Sequence, residues 1–157
     1  MPNDLLDDYR RRLLERYRLQ PAVYQDRLRG QDGASVRAAI KPGEWSAHQL
    51  VFHVCAVDEQ AYGPRLLRIL RDDRPKLEDF DEVAWMTDHY DPGEAPEAIL
   101  ERWGVARQTL ADTLQTASLE AWNRAGMHAF HGERTLQWWL ERAVAHGEDH
   151  LRQLDGE

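Results

Sequence analysis

Apolar residues recur along this chain at intervals of three, four and seven, the spacing that places them on one face of an α-helix. The first series predicts a helix over residues 4–28 and consists of Leu6, Tyr9, Leu13, Tyr17, Tyr24 and Leu28. Because proline lacks an amide hydrogen and clashes with the preceding turn, Pro21 is expected to kink or break this helix. Gly30 and Gly33 are expected to end it.

The stretch EWSAHQL predicts the start of a second helix. Ser46 is a favoured N-cap residue, and Gln49 stands three positions later, as in a capping box. We expect this helix to continue to about Arg71, with a bend at Gly63 and Pro64. Its predicted buried stripe consists of Leu50, Val54, Val57 and Ala61.

Two stretches lack helical periodicity. Residues 72–94 contain Pro75, Pro92 and Gly93 and predict a loop of some twenty residues, while residues 118–134 form a second irregular stretch. A third helix is predicted between them, from about Pro96, with Ile99, Trp103, Ala106, Leu110 and Leu114 on its apolar face. A fourth is predicted from Thr135 to Leu154, with Leu136, Trp139, Leu140 and Ala143 on its apolar face.

The predicted fold class is all-α, because no segment alternates between apolar and polar residues over the length of a strand. We expect one domain over residues 1–157, folded as a four-helix bundle. A helix of ~25 residues is about 37 Å long, whereas an extended loop of ~20 residues covers about 65 Å. The loop between helices 2 and 3 can therefore cross the whole bundle, which permits an up-down-down-up order.

Charge and composition exclude several classes of partner. The chain has 28 acidic and 20 basic residues, so its net charge of −8 disfavours nucleic acid. The longest run without a charged residue, Trp45 to Val57, is too short to cross a membrane. The first residues lack the basic and apolar regions of a signal peptide, and Cys55 is the single cysteine. Both features predict a cytoplasmic protein.

Three histidines are predicted to point into the bundle. His146 and His150 lie one turn apart on the apolar face of helix 4, and His53 lies between Leu50 and Val57 on helix 2. Such a set favours a divalent transition metal over Mg or Ca, and three protein ligands leave coordination positions for water or substrate. The alternative interpretations are neutral core histidines or a pH-sensitive pair.

The surrounding residues each have a predicted role. HGEDH is not a zinc-protease motif, since Gly147 stands where the glutamate base would be. Cys55 is expected to pack in the core and not to bind metal. His48 is expected at the surface, and one of the adjacent Trp138 and Trp139 is expected to face the core while the other faces elsewhere.

Three further histidines lie in the irregular stretches. His89, next to Tyr90, is expected either to cover the site or to pack nearby with Trp85. His128 and His131 are expected either to line the mouth of the site or to be solvated.

The segments EWSAHQLVFHV and GERTLQWWLERAVAHGEDHLRQL resemble the DinB-like superfamily, which includes YfiT-type bacillithiol transferases. The resemblance spans nearly the whole chain. It implies an up-down-down-up bundle, a homodimer, and nickel or zinc held by His53, His146 and His150. Members commonly have an acidic residue beside the first histidine of the pair, where this chain has Gly147.

Two functions are compatible with these patterns. The first is a metal-dependent enzyme, a thiol S-transferase or a hydrolase, acting on a small molecule and using a low-molecular-weight thiol or a water as the nucleophile. The second is a non-catalytic stress-related bundle whose exposed aromatic residues contact a partner. Six tryptophans favour the second interpretation, and the histidine set favours the first.

Overall fold

The computed structural model describes residues 3–157 as a mostly helical chain, and it confirms the predicted four-helix bundle. Four long helical segments form the bundle, and a shorter helix, α4 (Glu82–His89), lies outside it. The long segments are α1 (Asn3–Leu28), α2 (Ala47–Val57) continuing into α3 (Gly63–Arg71), α5 (Pro96–Gln115) and α6 (Leu136–Leu154).

Side-chain pairs establish that α1 and α6 run in the same direction. Tyr9 donates a hydrogen bond to Glu141 near the start of both helices, and Arg27 pairs with Asp155 near their ends. The pairs advance together along both helices, so α1 and α6 are parallel.

The two middle segments run opposite to this pair. His53 on α2 contacts the later part of α6, at His146, whereas Tyr62 contacts the earlier part, at Trp139. Cys55 lies against the backbone carbonyl of Ile99, and Asp58, further along the chain, accepts a hydrogen bond from Trp103, so α2 and α5 are parallel. The order is therefore up-down-down-up, as predicted.

The predicted helix starts have a visible chemical cause. At α2 the Ser46 side chain accepts the Gln49 amide hydrogen, and the Gln49 side chain accepts the Ser46 amide hydrogen, which is the predicted capping box. At α6 the Thr135 hydroxyl oxygen accepts a hydrogen bond from the amide of Trp138. These caps satisfy backbone donors that have no partner within the helix.

Two proline predictions have different outcomes. Helix α1 continues through Pro21, so the predicted break is wrong. Pro21 is buried and packs toward Gly104 of α5, where an added Cβ atom would lie 3.8 Å from the Cβ atom of Pro21.

Between α2 and α3 the chain forms a π-helical turn, Asp58–Tyr62, immediately before Gly63 and Pro64. A Cβ at Gly63 would lie only 2.9 Å from the Asp58 carbonyl oxygen, so glycine permits this wider turn.

The irregular stretches hold more structure than their sequences indicate. Residues 72–94 contain β1 (Lys76–Leu77) and helix α4, and residues 118–134 contain most of a hairpin, β2 (Ala125–His128) and β3 (Gly132–Thr135). The strands form a sheet in the order β1-β2-β3, with β1 parallel and β3 antiparallel to β2. Strands of two to four residues are too short to show a period of two, which is why the sequence did not predict them.

The predicted apolar stripes mostly coincide with the core. The predicted members Leu13, Tyr17 and Tyr24 of α1 are buried, as are all four predicted residues of the second helix. The predicted burial of Leu6 and Tyr9 is wrong, since each side chain is 41% exposed near the start of α1. No helix within residues 3–157 combines the length and apolar character required to cross a membrane.

Candidate metal centre

Helices α2 and α6 bring the three predicted histidines together. His53 lies on α2, and His146 and His150 lie one turn apart on α6, which passes α2 in the opposite direction. One ring nitrogen from each residue lies within 4.8 Å of the other two. His53 is almost fully buried, whereas the two histidines on α6 are half-buried, so the cluster has one closed side and one open side.

The ring geometry fits a metal site. The Nε2 atoms of His53 and His146 are 3.2 Å apart. Two nitrogens bound to one zinc ion at about 2.1 Å each are separated by about 3.0–3.4 Å, so this spacing requires little rearrangement. The His150 ring lies 4.7 Å from each of the other two rings, measured between centroids.

The surroundings of the cluster keep His53 and His146 neutral. Burial, followed by the charge of His150, lowers the pKa of His53 to about 4. Burial, followed by the charges of the neighbouring His150 and His53, lowers the pKa of His146 to about 2. Both imidazoles therefore carry a free nitrogen lone pair at neutral pH, which is the form that binds a metal.

Neighbouring side chains orient the rings. The Gln153 side-chain oxygen lies 3.0 Å from Nδ1 of His150, where it can accept a hydrogen bond from the Nδ1–H tautomer and so leave the Nε2 lone pair free to bind a metal. Trp45 packs on His53 with ring centroids 4.9 Å apart, and Tyr62 lies 5.6 Å from His146. Nδ1 of His53 is buried without a hydrogen-bond partner among the described residues.

Glu82 is a neighbour that the sequence did not reveal. Its Oε2 atom lies 4.0 Å from Nε2 of His53, and its side chain is half exposed. It stands in the first turn of α4, which is capped by Asp81, whose side chain accepts a hydrogen bond from Ala84. An aspartate such as Asp81 before helix-forming residues is a signal for the start of a helix. Helix α4 has only eight residues, which is too few for a helical period of apolar residues to be recognised in the sequence.

Gly147 has a packing explanation. A Cβ at this position would overlap the side chain of Gln20 on α1. Gln20 donates a hydrogen bond to the backbone carbonyl of Val144, and Tyr24 donates one to that of Gly147 itself. Helix α1 therefore lies against α6 at Gly147, and the Gln20 side chain fills the space that a side chain at this position would need.

The remaining histidines have mixed outcomes. His48 is fully buried, which contradicts the predicted surface position. Its Nδ1 lies 2.7 Å from the Tyr90 hydroxyl and its Nε2 2.7 Å from the Glu94 carbonyl oxygen. Helix α2 is buried on nearly all sides, so a single apolar stripe underestimated its burial. His89 is exposed and stacks on Trp85, with ring centroids 3.8 Å apart, which matches the packing alternative.

His128 and His131 flank the Trp139 ring at the start of α6. Both rings lie 5.5 Å from Trp139, which itself contacts Tyr62 beside the cluster. His128 is buried and His131 half-buried, so the solvated alternative is wrong for His128. Trp139 is fully buried and Trp138 half-buried, as their adjacency predicted. Cys55 is buried in the core, away from the three histidines.

The profile of the DinB superfamily matches residues 7–154, which is almost the entire chain. The chain belongs to the DinB superfamily. Among curated proteins, no sequence matches it significantly.

Two solved structures have the same fold. YfiT from Bacillus subtilis, described as a probable metal-dependent hydrolase with an unusual four-helix bundle topology, superposes with a TM-score of 0.73. It is 19% identical, and the match covers 92% of this chain and 86% of YfiT. TT2238, described as a four-helix bundle protein, has a TM-score of 0.65 and 23% identity, over 93% of this chain and 98% of its own.

Proposed function

We propose that this DinB-superfamily protein is a metal-dependent enzyme, either a hydrolase or a thiol transferase, with one divalent ion held by His53, His146 and His150. The observation that carries the proposal is the convergence of three imidazoles, two of them held neutral by burial, at the junction of α2 and α6. Imidazole ligands favour transition metals, of which nickel and zinc are the first to test. The family membership and the description of YfiT support the same function.

The open side of the cluster supports catalysis over a structural role. Structural zinc sites are closed by four protein ligands, whereas catalytic sites keep a position for water or substrate. A divalent metal held by these histidines would lower the pKa of a coordinated water or thiol and so supply a nucleophile at neutral pH. Because His146 and His150 are half-buried, a small molecule can approach from solvent.

The neighbouring residues have separate roles in this proposal. Glu82 is close enough to the cluster to take a proton from the attacking water or thiol and to return it to the leaving group. Burial raises the pKa of Tyr62 to about 12, so its hydroxyl stays protonated and can donate a hydrogen bond to the substrate. Trp45 covers one side of His53 and excludes water there.

The proposal is tested by metal content together with turnover. Untagged wild-type protein is expected to retain about one nickel or zinc ion per chain by plasma emission. Glu82→Gln is expected to retain that metal while turnover of ester and thiol-acceptor substrates falls roughly 100-fold or more, since a general base contributes about 10²–10⁴. Glu78→Gln, an exposed change in the preceding segment, is the matched control. Wild-type protein without metal after reconstitution contradicts the proposal.

A non-catalytic interaction protein is the second candidate. The hairpin exposes two large apolar side chains, Phe130 at 79% and Met127 at 44%, and surfaces of this kind mark contacts with other chains. A homodimer formed through this hairpin is compatible with either function. Light scattering of Phe130→Ser beside wild type tests the contact, and a monomeric wild type excludes the homodimer.

A further inference from the structure

Arg65 is a buried cation beside the histidine cluster. Its side chain lies on α3 and is only 8% exposed, and its Cζ atom lies 4.8 Å from the Trp139 ring centre. Nε and Nη2 donate to the backbone carbonyl of Glu78 at 3.3 and 2.9 Å. None of the carboxylates that the structure describes lies within ion-pair distance of Arg65, and Asp79 acts on its charge only from a longer distance.

Arg142 provides a second cation on the same side. It lies four residues before His146 on α6, so the two side chains occupy the same face of the helix. Arg142 is exposed, and no hydrogen bond or ion pair involves it within the described part of the chain. Its charge helps to lower the pKa of His131, after the larger effect of burial.

Tyr62 connects Arg65 to the histidine cluster. The Cζ atom of Arg65 lies 6.0 Å from the Tyr62 ring centre, and the ring lies 5.6 Å from that of His146. The charges of Arg142 and Arg65 both oppose the effect of burial on the pKa of Tyr62. His131, whose pKa is lowered by burial and then by Arg142 and Arg65, is neutral there and can donate a hydrogen bond.

Two acidic side chains also face this region. Glu82 lies beside His53, and Asp79 lies 3.7 Å from Nε2 of His128. Both are at least half exposed, and neither lies within ion-pair distance of an arginine here. Both guanidinium groups therefore retain N–H donors without a protein acceptor.

We propose that Arg65 and Arg142 bind an oxyanion of the substrate, a carboxylate or a phosphate, while its reacting atom lies at the three histidines. Planar guanidinium groups match the oxygens of both anions. Because the chain has a net charge of −8, its overall field repels anions, and a local pair of unneutralised arginines selects for one at this position. The inference rests on the proposed function and specifies its substrate class.

Calorimetric titration of metal-free protein with phosphate and with propionate tests the subsite without turnover. Wild type is expected to bind at least one of the two anions, and the tighter one identifies the class. Arg142→Gln is expected to weaken that binding about tenfold, which corresponds to one charge-assisted hydrogen bond. Arg142 is exposed, so its substitution leaves the core intact, and Arg71→Gln, an exposed arginine on α3, is the matched control.

The inference is overturned if wild type binds neither anion, or if Arg142→Gln and Arg65→Gln bind both as tightly as Arg71→Gln does. Metal content is measured on the same samples. Loss of anion binding with full nickel or zinc content in Arg142→Gln supports the subsite. Anion binding in a wild type that takes up no metal contradicts the proposed enzyme and leaves the anion site in place.

Discussion

Two polar clusters are buried among the same helices of this bundle, and they differ in whether their groups are charged and paired or neutral. The first joins Asp58 to Arg107, and both side chains are almost fully buried. Arg107 also donates to the backbone carbonyl of Tyr17 and to the side chain of Gln20, and Trp103 donates to Asp58. The second is the histidine cluster. Among the described residues each cluster leaves one buried atom without a hydrogen-bond partner, Oδ1 of Asp58 in the first and Nδ1 of His53 in the second.

The comparison distinguishes polar groups that stabilise the fold from polar groups that are available to bind a ligand. In the Asp58 cluster the opposite charges offset each other and most donors are used, which is the condition under which buried charges are tolerated. In the histidine cluster, burial keeps His53 and His146 neutral, and each retains a free nitrogen lone pair. Gln20 links the two, since its side chain accepts from Arg107 and donates to α6 beside Gly147. One cluster therefore fixes the helices on which the other depends.

The largest expected effect is on the structural cluster. Asp58→Ala leaves the Arg107 guanidinium buried without its anion, so we expect the free energy of unfolding to fall by about 3–5 kcal/mol. Asp112→Ala on α5, which removes an exposed acceptor of Gln108, should change it by less than about 0.5 kcal/mol. Urea denaturation followed by circular dichroism measures both. An equal loss of stability in the two variants would contradict the structural role of the Asp58 cluster.

The histidine cluster is expected to make metal-free protein sensitive to acid. The unfolded chain binds a proton on His53 near pH 6.5, but the folded chain does so only near pH 4. The unfolded state gains protons first as the pH falls, so the stability is complete above pH 6.5 and is lost between 6.5 and 4. The loss from this residue is roughly 3 kcal/mol. Urea midpoints from pH 7 to 4 measure it, and a pH profile for His53→Asn as steep as that of wild type would contradict it.

Metal binding should stabilise the protein through the histidine cluster. His146→Asn is expected to weaken nickel or zinc binding at least about 100-fold, so that a metal concentration stabilising wild type by about 2.7 kcal/mol has almost no effect on the variant. Thermal melts with and without metal measure the difference. His89→Asn, an exposed histidine outside the cluster, is the control and should keep the full stabilisation.

The smallest expected effect lies at the residue that orients His150. Gln153→Ala removes the acceptor at Nδ1 and is expected to weaken metal binding about tenfold, as changes behind a ligand commonly do. Gln108→Ala on the exposed face of α5 should leave the affinity unchanged. Competition with a chromophoric chelator measures both, and an unchanged affinity for Gln153→Ala would show that the ring is oriented by packing alone.

The sequence predicted the histidine grouping well because its signals are local. Helical periodicity places His146 and His150 on one face, and a capping box fixes where α2 begins and hence where His53 points. The same reasoning misplaced His48, since burial on a second face depends on Tyr90 and Glu94, which are distant in sequence. It also missed Glu82, because α4 is a short helix whose position depends on the segment packed around it.

The sequence by itself therefore determined the four long helices, their caps and the inward direction of three imidazoles, since each follows from residues within one or two turns. Only the tertiary structure decided which groups surround those imidazoles. The approach of Gln20 to Gly147, the unneutralised pair of Arg65 and Arg142, and the small sheet around His128 all join residues far apart along the chain. Burial and charge compensation are properties of the packed helices, and no local pattern specifies them.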